Sequence, residues 1–115
     1  MRLRKDGDTL LEDEVLLVAQ VSDALAHPAR IKIYQFIMGC NKDRRTVCNK
    51  DVVAAFDYSQ ATISQHIKKL VQANLVEVVK NDRCSVYYAN MGVLMKYLDA
   101  TRKFSMFKAT GGPRM

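Results

Sequence analysis

Chemistry in this chain could come from three thiols, two imidazoles and one short run of amides and hydroxyls. The thiols are Cys40, Cys48 and Cys84, and the imidazoles are His27 and His66. The polar run is Ser59-Gln60-Ala61-Thr62-Ile63-Ser64-Gln65-His66. No nucleophile–base–acid set, paired-carboxylate cleft or phosphate-cradling loop is legible, so the sequence predicts neither an enzyme nor a cofactor. At helical spacing, Gln60, Ala61, Ser64 and Gln65 fall on one face. A glutamine amide pairs with adenine N6 and N7, and a serine hydroxyl accepts several partners, so this row suits the reading of base edges in duplex DNA. Ser59 is placed to cap the helix, and Thr62 at its start to donate to a phosphate. Lys68 and Lys69 follow one turn later, and Lys80 and Arg83 further on. They are suited to backbone contact, with Arg83 also able to enter a minor groove. Any exposed helix carries polar residues, and Lys69 reads equally well as a solvated side chain. The surrounding elements decide between the two readings.

Those elements follow from periodicity. Leu10 to Leu25 is helical, with one stripe of Leu11, Val15, Val18, Ser22 and Leu25 and another of Leu10, Leu17, Val21 and Ala24. A helix apolar on two sides exceeds what a chain of 115 residues can cover, so a second subunit is expected against it. His27-Pro28 opens a second helix, Ala29 to Met38, with Ile33, Tyr34, Ile37 and Met38 inward and Gly39 as its left-handed cap. Asn49 is expected to cap a short helix, Lys50 to Phe56, after a charged connector. Gln60 to about Ala73 follows, burying Ile63, Ile67, Leu70 and Val71. The period then becomes extended over residues 75–80 and 84–89, with Asn81-Asp82 as a turn tolerant of positive φ. A last helix spans about Met91 to Phe104, packing through Leu94, Met95, Leu98 and Thr101. Four helices, a hairpin and a fifth helix make a winged helix-turn-helix, mainly α. Residues 1–9 read as an arm, 10–105 as the domain and 106–115 as a fraying tail.

Charge and composition agree. The chain is 49% hydrophobic with a net charge of +6. Residues 1–57 hold nine basic and nine acidic residues, whereas residues 58–115 hold nine and three. The excess therefore sits in the half that carries the polar row and the hairpin, as a polyanion partner requires. No apolar run approaches a membrane span, and no secretory leader is legible. An odd number of cysteines then predicts reduced thiols in a cytoplasmic protein.

Specific segments resemble the ArsR/SmtB repressor family. Ala24-Leu-Ala-His-Pro-Ala-Arg30 resembles that family's Ala-Leu-Ala-Asp-Pro-Thr-Arg, and Ser59 to Leu70 its recognition helix. Asn74-Leu75-Val76 and Val86-Tyr87-Tyr88 resemble its Gly-Leu-Val strand and the close of its wing. The resemblance covers roughly residues 12 to 104. It implies a homodimer formed by the first and last helices, bound to an imperfect palindrome of duplex DNA and released by an inducer. Many members bind metal through a Cys-Val-Cys pair at the third helix. Here Cys48 matches the first cysteine, and Lys50 replaces the second. Residues 91–104 carry no histidine and only Asp99 as an acid, so the second usual metal site is also broken. A redox or reactive-sulfur signal through Cys40 and Cys48 is the expected alternative, because Arg44, Arg45 and Lys50 favour a Cys48 thiolate. Cys40 reads equally well as a small buried hydrophobe, and Cys84 as packing beside the wing. His66 is expected to be structural, between helix and wing. A constitutive architectural or RNA-binding winged helix without inducer is the competing class.

Overall fold

Residues 10–105 are described by a computed structural model, and the arm and tail expected from the sequence lie outside the described residues. The elements are α1 (Glu12–Ala24), α2 (Pro28–Lys42), α3 (Asn49–Ala55), α4 (Gln60–Gln72), β1 (Val76–Lys80), β2 (Ser85–Ala89) and α5 (Met91–Ser105). This is the winged helix-turn-helix order read from periodicity.

The core forms where α2, α3, α4 and the start of β1 meet. Ile33, Ile37, Val52, Ile63, Leu70 and Leu75 are fully buried there, and Ile67 nearly so. The buried row Ile63, Ile67, Leu70 along α4 leaves its opposite face free for another task. Asn74 adopts φ 63°, turning the chain from α4 into β1 in the left-handed region that asparagine tolerates. β1 and β2 pair antiparallel from Val76↔Ala89 to Lys80↔Ser85.

Three local expectations are corrected. Gly39 does not end α2, which continues to Lys42. The extra turn buries Cys40 and brings the Asn41 amide to β2, where it donates to the Tyr87 carbonyl at 3.2 Å and accepts from Ala89 N–H at 2.7 Å. The left-handed residue beyond the helix is Arg44, at φ 59°. The N-cap of α3 is Cys48 rather than Asn49, and the Asp51 carboxylate accepts its backbone N–H at 2.7 Å. The wing turn holds no positive φ among its residues. Instead the Asn81 side chain accepts from the Arg83 and Cys84 N–H groups, each at 2.9 Å, closing the loop without left-handed backbone.

The connector before α3 adds a short edge to the wing. Tyr87 N–H donates to the Val47 carbonyl at 2.9 Å, and Cys48 bridges Val86 antiparallel. On the far side α1 lies against α5, joined by Ser22 Oγ to Tyr97 Oη at 2.9 Å and by Lys103 Nζ to Glu14 Oε1 at 3.1 Å. Of the two α1 stripes only Val21 and Ala24 are fully buried. The expected packing face of α5 is likewise half open: Leu94 and Thr101 are half-buried and Met95 and Leu98 face outward, while the buried residue of the helix is Ala100, outside that expected face.

Candidate nucleic-acid interface

The polar row of α4 is held ready by its cap. Ser59 Oγ accepts from Thr62 N–H at 3.1 Å, satisfying a donor that the helix itself leaves free. Ser59 Oγ also donates to Thr62 Oγ1 at 3.0 Å, so the Thr62 proton remains available to an acceptor outside. Gln60, Ala61, Ser64 and Gln65 are all exposed, Ala61 and Gln65 on the face opposite the buried row and Gln60 and Ser64 on its flank. Lys68 and Lys69 are exposed on the same helix, and Lys80 and Arg83 on the wing. The fold thus brings the expected residues to the surface of adjoining elements.

Asn49 is a member of this region that sequence reasoning missed. Its amide donates to Ser64 Oγ at 3.2 Å and to Tyr87 Oη at 3.4 Å, linking α3, α4 and β2. Treating it as a cap hid this role, and no local pattern signals a bond across 38 residues.

The thiol expectation is also corrected. Cys48 is joined to Cys84 in a disulfide, with Cα atoms 6.3 Å apart. Cys40 is buried and unpaired, its Sγ accepting from Arg45 Nη2 at 3.5 Å. The cause is the Cys48–Val86 bridge, which lays the α3 cap beside β2, two residues from Cys84. An odd cysteine count carries no information about such a pair. The disulfide borders a recess of about 420 Å³, lined in part by Lys50, Val53, Gln60 and Arg83.

His66 does not sit between helix and wing. It faces the start of α2, its ring 6.2 Å from His27 and 6.2 Å from Tyr58. Burial holds its pKa below the ordinary histidine value, and the charges of Arg30 and His27 add to that. Among the described residues no three His, Cys, Asp or Glu side chains converge on a metal-sized site.

A helix-turn-helix domain model matches residues 25–79. The arsenical resistance operon repressor of Staphylococcus xylosus is 30% identical over 73 residues, which are 64% of this chain and 65% of that protein. The match thus spans just under two thirds of this curated relative. An ArsR-like transcriptional regulator from Rhodococcus sp. RHA1 superposes with a TM-score of 0.69 at 23% identity, covering 80% of this chain and 82% of the other. The homodimeric winged helix-turn-helix DNA-binding domain of Mb0332 from Mycobacterium bovis superposes with a TM-score of 0.63 at 16% identity, each chain fully covered. At these identities the two superpositions establish the fold.

Proposed function

We propose that the chain is of the ArsR type of winged helix-turn-helix proteins and works as a homodimeric, sequence-specific DNA-binding repressor of the cytoplasm. The carrying observation is the Ser59-capped α4, with Gln60, Ala61, Ser64 and Gln65 exposed beside a basic wing. Gln60, Ser64 and Gln65 read base edges, with Ala61 in van der Waals reach of a thymine methyl. Thr62, Lys68, Lys69, Lys80 and Arg83 hold the phosphates, and Ser59 serves them by fixing Thr62 through the cap. The open faces of α1 and α5 meet their counterparts in a second copy, so the operator is an imperfect palindrome with half-sites about one helical turn apart. Residues 10–105 are the working unit. Among the described residues no helix is long and apolar enough to cross a membrane.

The inducer acts on sulfur, through Cys48 and Cys84 and not Cys40. Cys84 is the more accessible of the two thiols. A peroxide oxidises its thiolate to the sulfenic acid, releasing water or an alcohol. Cys48 then displaces hydroxide from that sulfur, which leaves as water. Two electrons pass from the sulfur pair to the peroxide. The product fixes the Arg83 end of the wing to α3 and lowers operator affinity.

The experiment selects duplexes from a random library with reduced protein and compares the best site with the same sequence as RNA. A palindromic duplex preferred over RNA is expected. Equal affinity for RNA or for unrelated duplex would favour a constitutive architectural protein. Peroxide should weaken binding by the wild type and by Cys40→Ser, and leave Cys84→Ser unaffected. Release by As(III) alone would assign the thiol pair to a metalloid instead.

A further inference from the structure

We propose that the recess between the start of α2 and the side of α4 is an oxyanion site for a phosphate group, held by Arg30, His27, His66 and Lys69. The recess measures about 370 Å³, and Thr62 and Gln65 complete its polar lining. No carboxylate lines it, and its titratable side chains are all cationic or able to become so. Such a one-signed pocket repels cations and attracts an anion.

Arg30 gives the site its built character. Its side chain is only 6% exposed, yet among the described residues no acid pairs with it. Nη1 donates to the Ala24 carbonyl at 3.2 Å, which anchors the guanidinium, while Nε is buried without any partner. A buried guanidinium lacking a counter-charge and a buried donor lacking an acceptor are both costly. One anion in the recess relieves both. A phosphate matches the donors better than a carboxylate. It offers several acceptor oxygens to a guanidinium fork, two imidazoles, an ammonium and the free Thr62 proton. Pro28, at the first position of α2, has no N–H to offer, so the side chains carry the site.

The histidines make occupancy visible. His66 is faced by His27 and Arg30 from α2 and by Tyr58 from the turn before α4. Lys69 lines the same recess from α4, and Asp23 of α1 shares a neighbouring recess with Lys69. Burial, with the charges of Arg30 and His27 added to it, lowers the pKa of the imidazole. A phosphate between them reverses the local field and draws a proton on.

The phosphate has two sources, a duplex backbone or free phosphate. In its duplex form the inference rests on the DNA-binding reading above. The test is NMR titration of the His66 ring in the full chain. It is run in chloride, in inorganic phosphate at equal ionic strength, and with duplex DNA. A rise of about one pH unit over chloride is expected in phosphate, the size an adjacent opposite charge produces. Arg30→Gln should abolish the rise. Because Arg30 also holds Ala24, Lys69→Gln is the second variant, an exposed residue expected to lose about half of it. A rise with both additives places the site on the DNA backbone, and a rise with phosphate alone makes it a free-anion site. If the chain fails to bind duplex at low salt but His66 still responds to phosphate, the DNA reading fails and this one stands. If His66 titrates alike in all three solutions, the phosphate site is wrong whatever the DNA result.

Discussion

At the scale of single residues, the division between base reading and phosphate holding has a measurable consequence. Gln60→Ala removes a side chain able to form two bonds to one base. It should cost about 1–3 kcal/mol at the preferred site and relax preference at one position. Lys68→Ala should instead weaken binding to all duplexes alike and reduce the salt slope by about one. Fluorescence anisotropy over a salt series separates the two, and identical profiles for both variants would show the division to be wrong. His66 supplies a second residue-scale expectation, this time for the fold. In phosphate-free buffer the folded chain holds this ring neutral below its ordinary value of 6.5, so the unfolded chain binds more protons there. The associated stability is complete above that pH and is lost as pH falls through the lower folded value. Urea unfolding across this interval should show a decline that His66→Gln flattens.

At the scale of elements, local chemistry was legible and register was not. The α4 face could be read because residues three and four apart in sequence are neighbours on a helix. Ser59 could be read as its cap because a cap is a local bond. The Asn49 and Asn41 bonds and the Cys48–Cys84 pair depend on which strand edge the connector 43–48 chooses, and no period records that choice. Gly39 misled for the same reason. Its conformational freedom suggested a helix end, but the next turn places Cys40 and Asn41 in contacts that outweigh it. Asn41 therefore fastens α2 to the wing. Asn41→Ala leaves a part-buried carbonyl and N–H of β2 without these partners, and should cost about 1–3 kcal/mol. Thermal unfolding measures that loss. Gly39→Ala, in the last turn of α2 with open space where a Cβ would stand, should raise stability by up to about 0.5–1 kcal/mol.

At the scale of the whole molecule, the unfinished feature is the face built by α1 and α5. Leu11 and Leu16 on α1, and Met91, Met95, Leu98 and Phe104 on α5, are each more than two-fifths exposed. Scattered singly they would mean little, but they fall on two helices that already touch through Ser22–Tyr97 and Glu14–Lys103. The double stripe of α1 was readable in the sequence, and with it the need for a cover. Which side the protomer covers itself was not, because both stripes are largely apolar and differ by one serine, Ser22. Since Leu98 faces outward, Leu98→Glu should leave the protomer folded and place an unpaired charge in the seam between copies, costing several kcal/mol of association. Val18, half-buried in the protomer, is the poorer test because a charge there also strains the fold itself. Sedimentation at micromolar concentration should give a dimer for the wild type and a monomer for Leu98→Glu, with helical circular dichroism retained. The monomer should keep weak, salt-sensitive binding to any duplex and lose preference for the palindrome, since one recognition helix reads only half a site. A wild-type chain that sediments as a monomer would place the cover on α1 and α5 elsewhere than in a second copy.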